Sequence, residues 1–405
     1  MPGALRIPLL LLTLLSPALA FGAAVPAAAA KPMIRYETGP DVQFGIDVLE
    51  AEGFAPLRGK RFGLLTHHAG VDRRGVSTLE VLRHAPGLRL VALFATENGI
   101  TGTVTSGKIY GDQLDSKTGL MVYSLYNGHT HQPTAAQLKG IDALVIDLQD
   151  IGSRSYTFTG AMKQAMEGCF LNHVEVIVLD RPNPLGGLKV DGPMLDPQWV
   201  GPNLVNEFNV PYVHGLTIGE LARYAKYQPG VMRIPEAARA QGKLTVIPMH
   251  GWQRRMRWSE TGLTWVATSP YVPDFSAVAG YPMVGLGTFP GIANFSHGVG
   301  KHPDGTPQYP FRGISHKYAK PEVLERDLNA LHLPGIHFRR ISVPNLKAGQ
   351  PPASGLFIEI TDWDEWQPTE LNLYLMQLDC RYSPRNPYAA VHAGEASGFL
   401  RQMGS

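Results

Sequence analysis

Five apolar runs, each leading into a polar turn, set the architecture of this chain. They are "RFGLLTHH" (61–68), "LRLVALFAT" (88–96), "DALVIDLQD" (142–150), "VEVIVLDRPNP" (174–184) and "LTVIPMHGW" (244–252). Between them lie stretches with helical periodicity: "STLEVLRHA" (77–85), "TAAQLKGI" (134–141), "TFTGAMKQAMEGCFLNH" (157–173) and "TIGELARYAKY" (217–227). Ser77 and Pro133-Thr134 are start signals for two of these helices. Strands that are apolar without alternation are buried on both faces. The pattern therefore predicts an α/β fold with a parallel sheet covered by helices on each side.

The pattern changes after residue 252. The segment "TSPYVPDFSAVAGYPMVGLGTFPGIANFSHGVGKHPDG" is rich in Gly and Pro yet carries aromatic residues throughout, so it is expected to be ordered loop around a site. "SGLFIEITD" (354–362) reads as a late strand and "TELNLYLMQLDCRY" (369–382) as a late helix. The expected organisation is a larger domain over 38–252 and a smaller α+β domain over 253–405 that completes a cleft.

The N-terminus reads differently. Arg6 precedes an apolar run from Ile7 to Leu15, and Ala18-Leu19-Ala20 follows as a small-residue cleavage site. The run is too short to span a bilayer. Residues 1–20 are thus expected to be a cleaved secretory signal and 21–37 a flexible leader, giving a secreted or periplasmic protein without stable membrane insertion. A net charge of +2, with basic residues scattered, gives no reason to expect a nucleic-acid partner. Cys169 and Cys380 fit either one disulfide or two separate buried thiols, and no Cys/His spacing suggests a metal.

Chemistry concentrates at the strand ends. The first strand ends in Thr66, His67 and His68, and the second delivers Glu97 and Asn98. The third delivers Asp147, Gln149 and Asp150, with Arg154 and Tyr156 just beyond, and the fourth Asp180, Arg181 and Asn183. Parallel strands bring their carboxyl ends to one edge of the sheet, so these residues are expected to share a cleft. Carboxylates with different surroundings suit glycosidic bond cleavage, which needs an acid for the leaving oxygen and a second group at the anomeric centre. Trp252, Trp258, Trp265 and Tyr271 are equally suited to stacking on sugar rings and to filling a core. There is no Gly-x-Ser-x-Gly elbow and no His-Glu-x-x-His helix. "GLGTFPG" (285–291) and "GVGKH" (298–302) lack the spacing of nucleotide-binding loops.

Several phrases, in order, resemble the NamZ-like exo-β-N-acetylmuramidases: "TGLMVYSLY" (118–126), "PTAAQLKGIDALVIDLQDIGSRSYTFTGAM" (133–162), "VIVLDRPNPLGG" (176–187), "HGLTIGELA" (214–222) and "GLTWVATSP" (262–270). The resemblance implies a Rossmann-like N-terminal domain, a smaller C-terminal domain and a cleft between them. It also implies removal of terminal N-acetylmuramic acid from cell-wall fragments with no cofactor, Arg154 or Arg181 meeting the lactyl carboxylate. Where the family has Pro-Glu-His-Gly, this chain has Thr96-Glu97-Asn98-Gly99. The family's later loop reads "GIANFSHGVGK" (291–301), with Gly291, His297 and Val299 in place of two glutamates and an arginine, while Asn294 is kept.

These readings converge on a secreted glycoside hydrolase acting on amino-sugar glycans. Glu97 is the expected general acid. Asp147, Asp150 and Asp180 are expected to supply the second group or hold hydroxyls. Thr66, Asn98, Gln149, Arg154, Tyr156, Arg181, Asn183, His214, Asn294 and His297 are expected to bind the sugar. The rival is a non-catalytic periplasmic carbohydrate-binding protein on the same scaffold, favoured by the replaced glutamates and disfavoured by the retained acids.

Overall fold

A computed structural model describes residues 42–201, 203–287, 289–293, 298–346 and 349–389. The signal and leader expected over 1–37, and the site candidates Asn294 and His297, lie outside the described residues. The strands are β1 (Arg61–Thr66), β2 (Arg89–Ala95), β3 (Gln113–Leu114), β4 (Met121–Ser124), β5 (Ala143–Asp147), β6 (Glu175–Leu179), β7 (Asp191–Met194), β8 (Pro211–Val213), β9 (Leu244–Ile247), β10 (Ile292–Ala293), β11 (Gly313–His316), β12 (Ile336–Val343) and β13 (Ala353–Ile360). The helices are α1 (Gly45–Ala51), α2 (Thr78–His84), α3 (Ala135–Leu138), α4 (Thr157–Leu171), α5 (Ile218–Tyr227), α6 (Glu236–Gln241), α7 (Phe275–Val284), α8 (Pro321–Asn329) and α9 (Glu370–Tyr382).

The main sheet has seven strands in the order β3-β4-β2-β1-β5-β6-β9, parallel except for the short edge strand β3. All five apolar runs are strands in it, and side chains alternate between two buried faces. Phe62, Leu64, Val145, Ile177 and Leu179 pack with Ile46 and Leu49 of α1 and Val81 and Leu82 of α2. Leu65, Leu144, Ile146, Val176 and Val178 pack with Met162 and Met166 of α4 and Leu221 of α5. That explains strands with no polar face. Helix starts follow local chemistry: Ser77 accepts from Glu80 N–H at 3.2 Å, and Thr217 accepts from Glu220 N–H at 3.1 Å.

A second sheet, in the order β10-β11-β13-β12, is antiparallel and carries α8 on one side. The Gly- and Pro-rich segment is more regular than its composition suggests. It contains α7, started by Asp274, whose carboxylate accepts from Ala277 N–H at 2.8 Å, with Pro282 in the last turn. The apolar core under α4 continues through α7 and α9 into the second sheet. Both cysteines are unpaired, Cys169 buried in α4 and Cys380 exposed on α9. No helix among the described residues is long and apolar enough to cross a membrane.

Candidate active site

β1 is flanked by β2 on one side and β5 on the other, so strand order reverses around it. Ligands of open α/β sheets bind outside the carboxyl ends at such a point. The segments leaving β2 and β5, on either side of β1, form a cavity of about 230 Å³ with Glu97, Asn98, Ser106, Ser155, Tyr156 and Thr157 on one wall. Ser269, Tyr271, Tyr281 and Phe311, from the later part of the chain, form the other.

Glu97 is the carboxylate of this cavity, and it is half-buried. Its Oε1 accepts from Gly107 N–H at 2.7 Å and its Oε2 from the Thr157 hydroxyl at 2.9 Å. Thr157 opens α4, whose first turn has no acidic residue, so the helix N-terminus favours an anion at that place. Asn98 donates to Val104 O at 2.9 Å and to Ser106 Oγ at 3.0 Å, shaping the loop that carries Glu97. At Gly102 (φ +72°) a Cβ would stand 2.2 Å from the His68 ring, so only glycine lets this loop lie against β1's end.

Other candidates serve the scaffold under the cavity. Asp147 forms a two-point ion pair with Arg181, Nε to Oδ1 at 2.5 Å and Nη2 to Oδ2 at 2.8 Å, and the Thr78 hydroxyl donates to Oδ2. Both charged groups are buried, and Arg181 also donates to Val71 O at 2.6 Å. Asp180 accepts from Gly219 N–H at 2.8 Å, Arg181 N–H at 2.9 Å and the Thr217 hydroxyl at 3.0 Å, which ties β6 to the start of α5. Burial pushes its carboxyl up to about 6, against those hydrogen bonds. Arg154 donates to Pro193 O at 3.1 Å and Val210 O at 3.0 Å, and burial lowers it to about 10. The guanidinium groups expected at the lactyl carboxylate are therefore engaged inside the fold. Thr66 donates to Asp147 O at 3.1 Å, and Asn183 bridges Leu216 O and Leu185 N–H, each at 3.0 Å.

Asp150 is placed differently. Its Oδ2 accepts from Gly152 N–H at 2.7 Å and faces His214 Nε2 at 3.3 Å, without the alignment of a hydrogen bond. His214 Nδ1 accepts from Leu216 N–H at 3.1 Å, so the neutral ring carries its proton on Nε2. Asp150 Oδ1, Gln149 Oε1 and Ser153 Oγ are buried with no hydrogen-bond partner among the described residues. Such groups at the end of one strand are suited to a polar ligand. Tyr281 lies in the field of both carboxylates: burial first, then the charges of Glu97 and Asp150, raise its hydroxyl to about 12.

Tyr156 lines the cavity and donates to Thr268 Oγ1 at 2.7 Å, so it links the two walls. Ser155, Thr157 and Tyr281 were not evident from the strand-end pattern. Ser155 Oγ lies 2.7 Å from Tyr212 OH and 3.3 Å from Tyr281 OH. The tryptophans divide from Tyr271. Trp258 and Trp265 pack edge to face at 5.1 Å in the core, whereas Tyr271 lines the cavity. Among the described residues, no group of three or more His, Cys, Asp or Glu could hold a metal ion.

His67 gives the floor a pH signature. Its Nε2 accepts from Gln149 N–H at 3.0 Å, and burial, then His68 and Arg181, hold its pKa well below the ordinary histidine value. A depressed folded-state value gives stability that is present above about pH 6.5, where the unfolded histidine is also neutral, and lost as pH falls. Asp180 runs the other way, its raised value adding stability as pH falls from about 6 toward 4. His67→Gln keeps an acceptor for Gln149 N–H. Urea unfolding at pH 7, 6 and 5 should show the wild-type advantage over His67→Gln shrinking by about 1.4 kcal/mol per unit below 6.5. A difference independent of pH would contradict a neutral buried His67.

Comparison with known proteins gives the family. The family models for the N-terminal and C-terminal parts of the exo-β-N-acetylmuramidase NamZ match residues 62–276 and 279–405. The peptidoglycan β-N-acetylmuramidase NamZ of Bacillus subtilis is 37% identical over 359 residues, 87% of this chain and 81% of that protein. A DUF1343 family protein of Bacteroides fragilis with a crystal structure is 35% identical, with a TM-score of 0.77 over 91% of this chain and 90% of its own. A second from the same organism, at 24% identity and a TM-score of 0.59 over 90% and 92%, shares the fold. The chain belongs to the NamZ exo-β-N-acetylmuramidase family of glycoside hydrolases.

Proposed function

We propose that this protein is a secreted exo-β-N-acetylmuramidase that releases terminal N-acetylmuramic acid, or a closely related amino sugar, from peptidoglycan fragments. The observation that carries the reading is Glu97: a half-buried carboxylate in a cavity at the switch point of the sheet, held by one N–H and one hydroxyl. In this reading Glu97 protonates the leaving oxygen. Asp150, with Oδ1 not taken up by the fold, supplies the second carboxylate, and His214 orients it. Tyr281 and Tyr271 shape the sugar pocket from the opposite wall. Asp147, Asp180, Arg154 and Arg181 hold the strand ends in place. The lactyl carboxylate is assigned to hydroxyl groups of the cavity wall, because both arginines are engaged elsewhere. Export rests on Arg6, the apolar run and the Ala18-Leu19-Ala20 site, and a native N-terminus near Phe21 would support it.

The test is to offer the mature protein chromogenic β-glycosides of N-acetylmuramic acid and N-acetylglucosamine side by side. The expected result is release from the muramic acid glycoside with a clear preference over the glucosamine one. Binding of muramic acid derivatives without release from any glycoside would favour the rival, a binding protein on this scaffold.

A further inference from the structure

The two oxygens of Glu97 are held by groups of different kind, and the difference gives Thr157 a role. Oε1 accepts from Gly107 N–H at 2.7 Å. A backbone amide only donates, so a proton on Oε1 would face another proton. Oε2 faces the Thr157 hydroxyl at 2.9 Å, and a hydroxyl both donates and accepts. Thr157 is fixed as the first residue of α4, with Phe158 buried behind it. Resting on the reading of Glu97 as the acid, we propose that Thr157 is a positioning residue that confines the Glu97 proton to Oε2 and gives that oxygen a partner in both charge states.

In the carboxylate form Thr157 donates to Oε2. In the acid form Oε2–H donates to Thr157 Oγ1 until the glycosidic oxygen replaces it. Rotation of one hydroxyl is the motion required. As the glycosidic bond breaks, the Oε2 proton passes to the leaving oxygen, which departs as an alcohol. Water then supplies a hydroxyl to the anomeric carbon and a proton that restores the starting charge of the site.

Three tyrosines and His68 lie near Glu97 or the loop that carries it. Tyr110, Tyr126 and Tyr281 sense its charge, but burial raises all three, Tyr110 and Tyr281 to about 12. His68, packed against Gly102 of the same loop, is lowered by burial. Asp112 acts on Tyr110, and Asp150 on Tyr281.

The experiment measures kcat and KM against pH for wild type, Thr157→Val, Thr157→Ala and Thr157→Ser on a muramic acid glycoside with a poor leaving group. Losing the hydroxyl should lower kcat by roughly tenfold with KM within about twofold, the size of one charge-assisted hydrogen bond. It should also move the alkaline limb of kcat/KM up by about 0.5–1 pH unit, since the carboxylate loses a stronger bond than the acid. Thr157→Ser should restore both. Thr157→Ala serves if Thr157→Val does not fold, because it creates no apolar branch at the cavity wall. An unmoved limb in a folded, hydroxyl-free variant, or a serine variant that behaves like valine, would overturn the inference while leaving the activity intact. No turnover by wild type would overturn the functional reading itself, and this inference with it.

Discussion

Glu97→Gln should lower turnover by about 10² or more, the contribution expected of a general acid, while the folded protein and its sugar binding survive. Glutamine preserves the shape and both local bonds. Its carbonyl can accept from Gly107 N–H in place of Oε1, and its amide can donate to Thr157 Oγ1 in place of Oε2. What it cannot do is deliver a proton to the departing oxygen. The defect should therefore depend on the leaving group: small for a nitrophenolate, which departs without help, and large for a sugar alkoxide. Rates on both substrates, with calorimetric binding of free N-acetylmuramic acid as the control, separate this outcome from unfolding. A variant that hydrolyses the poor leaving group at nearly the wild-type rate would remove Glu97 from the mechanism.

Loss of Lys163 should be the most damaging single change to stability. Its ammonium is buried in α4, 2.6 Å from Glu207 Oε2 and 3.3 Å from Glu167 Oε1. Gln164 Nε2 donates to Glu207 Oε1 at 2.6 Å, and Arg233 pairs with the same oxygen at 2.7 Å. Gln132 Nε2 donates to Glu167 Oε2 at 2.8 Å. The network is satisfied as a unit. Lys163→Met leaves two buried carboxylates with one partly exposed guanidinium, which pairs with Glu207, and breaking a buried pair this way costs about 3–5 kcal/mol. Urea unfolding should show a lowered midpoint with the slope preserved. Adding Glu207→Gln removes one stranded anion, so the double variant should lose less than the sum of the two single losses. A single-variant loss below about 1 kcal/mol would show that the cluster is hydrated and weakly coupled.

The sheet was readable in the sequence because burial on both faces leaves an unmistakable trace, runs such as Val176–Leu179 with no polar interruption. Helix starts at Ser77 and Thr134 were readable because a capping side chain acts on residues three positions away. Helix α7 was hidden by Gly280 and Pro282. It holds because Asp274 caps it and its buried side chains join the shared core. Among the strand-end residues, the sequence indicated where they gather but not what each one does. Asp147 and Asp150 are three residues apart, yet one is closed off by Arg181 and the other keeps an unpartnered oxygen. That difference depends on the register that sets Thr66 beside Asp147 and on the path of Arg181 across the sheet's edge. Thr157 was missed for the same reason: its partner Glu97 is 60 residues away and reaches it only once β2 and α4 are placed.

The central claim, that the cavity around Glu97 cleaves terminal muramic acid, is tested most directly by a disaccharide of N-acetylmuramic acid linked to N-acetylglucosamine. The mature protein is incubated with it, and the products are identified by mass spectrometry. Wild type should yield free N-acetylmuramic acid and free N-acetylglucosamine in equal amounts, and Glu97→Gln should leave the disaccharide intact over the same time. An intact disaccharide with wild type, or equal cleavage by both proteins, would contradict the account.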